Sequence, residues 1–242
     1  SEPGTLVCVV DRTGPVTVSF FGGLPLRRVA NPERAGNEGP LTASLLDLAA
    51  TKVKVVQDRA EAKDYLDVAR LLREGIGLRD ALAAALAVYG PTFNPLLSLK
   101  ALSYFGDGDL PSLSDEARQA LSRAVRETPL DAIRDTACGW PDRRRPMNPT
   151  LESIAERVIW WKPPAEALAD RRHFLARVMA AGTFEEVRFV RACFPPEAFQ
   201  VVLDDPPPGV FDPRSWAYWH LVLGRGAREL GRRRLPAHEN RR

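Results

Sequence analysis

The sequence predicts an α+β protein that is mostly helical, with an N-terminal β-hairpin, a helical bundle after it and an all-α module further along the chain. Two apolar, β-rich runs, 5–10 and 16–21, flank turn residues at 11–15 and predict the hairpin. From residue 44 onward, apolar residues recur at helical spacing between glycine or proline stops and predicted capping residues, among them Thr150, Thr183 and Asp212. A basic, proline-rich segment at 131–149 interrupts this pattern and is predicted to be a linker.

The helix that begins after Ser44 carries a lysine on its apolar side. Ser44 can cap this helix, and Asp47 is placed to reach back to it as in a capping box. Lys52 then stands in a stripe that is otherwise apolar. The members of the stripe are Leu45, Leu48, Ala49, Lys52, Val53 and Val56. The next helix, which Gly75 ends, is predicted to bury Leu66, Ala69 and Leu72.

That second helix brings another lysine and two carboxylates together. Lys63, Asp64 and Asp67 lie within about one helical turn of each other, because side chains three or four residues apart share a helix face. With Lys52 on the neighbouring helix, these groups are suited to holding a phosphate and a metal or to activating a hydroxyl. The same pattern is also typical of a solvated face with weak ion pairs, and spacing alone leaves both interpretations open.

The two helices resemble those of the AbiEii-type nucleotidyltransferase toxins, within the polymerase-β-like superfamily. Those proteins carry a Ser-x-x-Asp-Leu-x-Ala-x-Lys helix and then an Arg-x-x-x-Lys-Asp-x-x-Asp helix, which here begin at Ser44 and Arg59. Residues 16–24 look like the family strand that precedes these helices, and residues 99–110 look like its C-terminal segment. The resemblance covers residues 1–130, which are predicted to form the C-terminal portion of a nucleotidyltransferase domain.

The resemblance implies roles for the polar residues. In the family, the lysine that matches Lys52 contacts the nucleotide phosphates, and the helix that matches Lys63, Asp64 and Asp67 completes the pocket. Lys52 and Asp64 are therefore the predicted catalytic residues, with Asp64 positioning a base or activating a hydroxyl. Lys52, Lys63 and Asp67 are the predicted nucleotide-binding residues. The implied reaction transfers a nucleotide from a nucleoside triphosphate to tRNA or protein, with Mg²⁺.

The catalytic signature of the family is not found in this sequence. It consists of a Gly-Gly-Thr or Gly-Ser helix start followed by a strand with Asp-x-Asp, whereas Gly22-Gly23 has no Asp-x-Asp after it. Polymerase-like chemistry needs those carboxylates to hold its divalent ions, so the sequence assigns no metal ligand. We therefore expect an incomplete nucleotidyltransferase that is inactive on its own, unless another chain supplies the missing segment.

Residues 150–224 form the predicted all-α module, called the C-terminal module below. The segments 160–164, 182–188 and 212–219 resemble a small helical protein usually encoded beside these toxins and similar to their proposed antitoxins. This resemblance implies a toxin–antitoxin contact, intramolecular or intermolecular, in which the module covers the nucleotide pocket. Large aromatic residues of the module, together with one arginine, admit two interpretations, a packed core or a partner-binding patch. The predicted partner-binding residues are Trp160, Trp161, Arg214, Trp216 and Trp219.

Composition and charge limit the remaining function classes. A net charge of +3 over 242 residues is too small for the whole protein to bind polyanions strongly through its charge. Arginines nevertheless cluster at 143–145, 232–234 and 241–242. Three cysteines without metal-ligand or disulfide spacing predict a reducing, cytoplasmic location, and no apolar run reaches the ~18 residues of a membrane span. Two alternatives stay open: a non-enzymatic interaction or scaffold protein, and a nucleic-acid-binding regulator that uses the C-terminal module and a basic tail at 225–242.

Overall fold

The computed structural model describes residues 5–11, 13–21, 27–34, 36–137, 149–226 and 230. Within these ranges the chain is mostly helical with a small N-terminal hairpin, which confirms the predicted α+β class. The strands are β1 Thr5–Asp11, β2 Pro15–Phe21, β3 Glu33–Arg34 and β4 Leu41–Thr42. The helices are α1 Leu45–Asp58, α2 Ala62–Arg73, α3 Leu78–Tyr89, α4 Pro95–Ala101, α5 Asp115–Arg126, α6 Leu130–Ala137, α7 Leu151–Val158, α8 Pro164–Ala169, α9 Arg171–Ala181, α10 Phe184–Cys193, α11 Pro196–Asp204 and α12 Pro213–Val222.

The predicted hairpin forms from β1 and β2. The strands pair in antiparallel register from Thr5 opposite Phe21 to Asp11 opposite Pro15. A second, two-residue ladder joins β3 to β4. The apolar side chains of the first hairpin are largely exposed, because two strands alone cannot bury either face of a sheet. Leu6, Val7, Val9, Val10 and Val16 are all in this exposed group.

The buried face of α1 consists of small residues that allow close packing on α3. Ala49, Ala50, Val53 and Val56 are buried there, opposite an alanine-rich face of α3. This arrangement turns the larger leucines of the predicted stripe outward. On α1, Leu45 is 50% exposed and Leu48 39%, and on α2 the predicted burial of Leu66 was wrong, since it is 46% exposed. The predicted burial of Ala69 is confirmed, and Tyr65, Val68 and Leu71 also face the core.

Side-chain caps begin the helices where the sequence predicts them. The hydroxyl oxygen of Ser44 accepts from the Asp47 amide, which confirms that cap. Asp47 does not complete a capping box: its carboxylate accepts from the amides of Val29 and Ala30, at 2.8 and 3.3 Å, and from the Ser44 hydroxyl. Asp47 therefore ties the segment before the helix to the first turn of α1. The predicted caps Thr150, Thr183 and Asp212 are also formed.

The predicted linker begins inside a helix. Residues 131–137 belong to α6, which buries Leu130 and Ile133 and packs against α3 and α10. Apolar residues spaced three apart give this short segment a buried side despite its charged composition. Residue 131 is therefore not the start of a linker, and residues 138–148 lie outside the described residues. The same holds for Gly22, Gly23 and the arginine clusters at 143–145, 232–234 and 241–242.

Helices of the C-terminal module pack directly on the N-terminal helices. α12 contacts α4 and α5, and α10 contacts α6. At the centre of this contact, Lys100 of α4 is only 4% exposed, and its Nζ donates to the carbonyl oxygens of Met179 and Ala180 at the end of α9. A lysine at a helix C-terminus satisfies carbonyls that have no partner within the helix. None of the helices in the described ranges has the length and apolar content needed to cross a membrane.

Candidate functional site

Lys52 joins α1 to both carboxylates of α2. Its Nζ lies 2.6 Å from Asp67 Oδ2 and 3.4 Å from Asp64 Oδ1. The lysine side chain is 24% exposed, Asp67 is 47% exposed and Asp64 is 1% exposed. Burial alone would lower the pKa of Lys52, but its bonds to Asp67 and Asp64 outweigh that effect and raise the pKa. The ammonium group therefore stays charged beside one buried and one accessible carboxylate.

The buried carboxylate is held by an arginine at the end of α1. Arg59 binds Asp64 with two nitrogens, Nε to Oδ2 at 2.8 Å and Nη2 to Oδ1 at 3.2 Å. Burial by itself would raise the pKa of Asp64, yet the hydrogen bonds from Arg59 and Lys52 lower it overall. Asp64 is thus an ionised group that fixes two cations, and its low pKa makes it a weak proton acceptor.

The structure differs from the sequence-based prediction at two residues, Lys63 and Arg59. Lys63 is directed away from the other site residues: its side chain is 68% exposed and pairs with Glu61 at 2.7 Å. Arg59, the first residue of the second helix motif, received no role of its own, although it contacts Asp64 directly. Its position at the C-terminal cap of α1 puts it beside α2 only once the two helices pack. Helical spacing within α2 contains no signal for this contact.

A groove of about 340 Å³ opens beside Lys52. Its described lining residues come from α1, α2 and the residue that follows α2: Leu45, Leu48, Lys52, Asp67, Arg70, Leu71 and Glu74. The exposed leucines of α1 thus form an apolar wall next to the ammonium group. No described residue of helices α7–α12 lines this groove, so the C-terminal module does not cover it within the chain, and an intermolecular contact over the pocket stays a prediction. A larger groove of about 680 Å³, between the α2–α3 turn and α5–α6, contains none of the predicted site residues.

The described residues do not fit a magnesium site. Mg²⁺ needs oxygen ligands in near-octahedral geometry, and no group of three or more potential metal-ligating side chains occurs within the described ranges. Both carboxylates of the groove already neutralise cationic side chains, Asp64 with Arg59 and Lys52, and Asp67 with Lys52. A metal at this position would have to displace Lys52 or Arg59.

The predicted partner-binding residues are divided between surface and core. Trp216 is 7% exposed and Trp219 is 0% exposed, so neither forms a surface of the chain. Trp219 stacks on Phe199 at 5.6 Å and donates from Nε1 to the Met179 carbonyl. α12 is buried on several sides because it packs against α4, α5 and α9.

Trp160 and Trp161 remain on the surface, at 77% and 47% exposure. Their rings meet edge to face at 5.8 Å, and the guanidinium of Arg177 lies 5.2 Å from the Trp161 ring centroid. Exposed tryptophan beside arginine is typical of protein interaction surfaces, so this pair stays a prediction for partner binding. The remaining member of the set, Arg214, pairs with Asp107 in the loop after α4.

Comparison with protein families identifies the N-terminal part of the chain. A family model described as "Nucleotidyl transferase AbiEii toxin, Type IV TA system" matches residues 11–157. Neither the curated proteins nor the solved structures gave a match. The matched range extends past the predicted boundary at residue 130 through α6 and nearly all of α7, and it leaves α8–α12 unassigned. Since the match covers more than half of the sequence, the chain belongs to the AbiEii family of nucleotidyltransferase toxins of toxin–antitoxin systems.

Proposed function

We propose that the groove beside Lys52 binds the phosphates of a nucleoside triphosphate, and that nucleotidyl transfer to tRNA or a protein needs, in addition, the Asp-x-Asp segment of the family, which this sequence lacks. The observation that carries this proposal is the Lys52 ammonium group, positioned at an open groove by Asp64 and Asp67. A phosphate oxygen can take the place of the half-exposed Asp67 carboxylate, because both are anionic acceptors for the same donor. Family membership supplies the reaction class.

Asp64 has a positioning role in this proposal. With its pKa lowered and its oxygens bonded to Arg59 and Lys52, it is better suited to orient those cations than to remove a proton from an acceptor hydroxyl. Asp67 is the accessible carboxylate that a phosphate would displace, whereas Lys63, which pairs with Glu61 and does not line the groove, has no part in this proposal. The proposal includes no magnesium step, since the described carboxylates are occupied by cationic partners.

Calorimetric titration with ATP and with pyrophosphate tests the proposal, using Lys52→Ala against Lys54→Ala. The two lysines form a matched pair: both lie on α1, both contact an aspartate at 2.6 Å, and their side chains are 24% and 23% exposed. We expect Lys52→Ala to weaken binding by at least about tenfold, since a charge-assisted phosphate contact is lost. Lys54→Ala should bind like the wild type.

Two results would contradict the proposal. Equal affinities for the two variants would show that Lys52 makes no phosphate contact. If the wild-type chain binds neither ATP nor pyrophosphate, with and without Mg²⁺, the non-enzymatic interaction protein becomes the better description. A fold check by circular dichroism ensures that a loss of binding does not come from unfolding of the variant.

A further inference from the structure

The C-terminal module reaches the candidate site through one loop. Residues 106–109 follow α4, and they lie against the connection between α1 and α2. From the side of the module, Arg214 in the first turn of α12 donates from Nε to Asp107 Oδ2 at 2.8 Å. Both side chains are partly shielded from solvent, at 31% and 41% exposure. A partly buried, charge-assisted hydrogen bond of this kind holds a loop more firmly than a fully exposed ion pair does.

The same loop caps α2. The N-cap residue Glu61 makes no side-chain hydrogen bond to the first turn of its own helix. Asp109, which lies outside the helix, provides this cap: its Oδ1 accepts from the Ala62 amide at 2.6 Å. An aspartate at a helix N-terminus satisfies a free amide and interacts favourably with the helix dipole. Gly108, between the two aspartates, lies so close to Ala60 that a Cβ there would be 2.2 Å from its carbonyl oxygen.

The contacts of this loop end next to the residues of the groove. Ala60 directly follows Arg59, and Ala62 lies in the same helical turn as Asp64. Tyr65, fully buried in that turn, packs edge to face on Phe105, the residue before the loop. A displacement of the loop therefore changes where α2 begins, and with it the geometry of the Arg59–Asp64–Lys52 cluster.

We propose that Arg214 is a positioning residue for the candidate site: by holding Asp107, it keeps Asp109 on the Ala62 amide and Asp64 in register with Lys52. The C-terminal module thus stabilises the geometry of the nucleotide groove through the loop at 106–109, although it does not line the groove. The effect of Arg214 on nucleotide binding rests on the proposed function of the groove. Its effect on the first turn of α2 does not depend on that function.

Amide hydrogen exchange of the full chain tests whether Arg214 stabilises the first turn of α2. We expect Arg214→Ala to speed exchange of the Ala62 amide about tenfold, as the loss of one charge-assisted hydrogen bond allows. Arg188→Ala is the matched control. It removes another ion pair between the module and the N-terminal helices, Arg188 Nε to Asp131 Oδ1 at 2.8 Å, without touching the loop. Arg214→Lys, which keeps the charge, should restore part of the protection.

A second measurement, ATP titration of the same variants, connects the contact to the groove. Arg214→Ala is expected to weaken binding about fivefold, by displacing Asp64 and Lys52, and Arg188→Ala to leave it unchanged. Equal acceleration of Ala62 exchange in Arg214→Ala and Arg188→Ala would overturn the inference, because Arg214 would then act only on global stability. A wild-type chain that binds no nucleotide would refute the proposed function, and the exchange result would still decide the role of Arg214.

Discussion

Replacing Gly108 by alanine should destabilise the protein by about 3 kcal/mol, from backbone strain and from a forced shift of the α1–α2 connection. Gly108 has φ +53, a conformation that costs an alanine about 1 kcal/mol. The larger part of the loss comes from contact. A Cβ at this position would lie 2.2 Å from the Ala60 carbonyl oxygen, which belongs to backbone and cannot turn away as a flexible side chain can.

Gly224→Ala separates these two causes. Gly224 also has a positive φ, +68, but a Cβ there would meet no atom within 4 Å. We expect this control to cost only about 1 kcal/mol, the strain of the left-handed backbone. Urea unfolding of both variants measures the difference in the free energy of unfolding. Similar losses in the two variants would mean that the 106–109 loop does not press on Ala60 as described.

The stability of the protein should increase with pH through the titration of Lys100. Burial lowers the pKa of this lysine from 10.5 to about 8, and the charge of Asp212 only partly opposes the effect. Between these two values the unfolded chain binds more protons than the folded chain, so the free energy of unfolding rises as the pH rises. The contribution of Lys100 should amount to about 2 kcal/mol between about pH 7.5 and 9.5.

Lys100→Met isolates this contribution. The free energy of unfolding of the wild type minus that of the variant is expected to grow across this pH range, because methionine fills the site without titrating. The carbonyls that Lys100 contacts keep other donors, Trp219 Nε1 to Met179 and Ser215 Oγ to Ala180. Lys54→Met, at a half-buried site on α1, controls for the loss of a lysine in general. A pH-independent difference between wild type and Lys100→Met would contradict the prediction.

Local signals predicted the secondary structure well. Ser44, Thr183 and Asp212 cap the helices that follow them, because a side-chain cap depends on residues only two or three positions apart. The same rule misassigned Asp47. Its spacing from Ser44 suits a capping box, but the structure offers it the amides of Val29 and Ala30, which no local pattern indicates.

The candidate site was predictable in part. Helical spacing and the family motif together indicated Lys52, Asp64 and Asp67, and the structure brings these three together. Lys63 shares their stretch of sequence but lies on the outer side of α2 with Glu61. Arg59 completes the cluster from the end of α1. A charge pattern within one helix cannot indicate which of its members face the neighbouring helix, since that depends on how the two helices pack.

Taken alone, the amino-acid sequence determined most of the helices, most of their caps and the toxin family, since these depend on local backbone hydrogen bonding and on short motifs. The tertiary structure decided which side of each helix is buried. Packing of the small residues of α1 on α3 turned Leu45 and Leu48 outward beside Lys52. Packing of α12 on α4, α5 and α9 buried Trp216 and Trp219, and Arg214 came to lie on Asp107. These outcomes depend on contacts between residues far apart in the chain. The packing of complete helix surfaces against each other determines which side chains are buried.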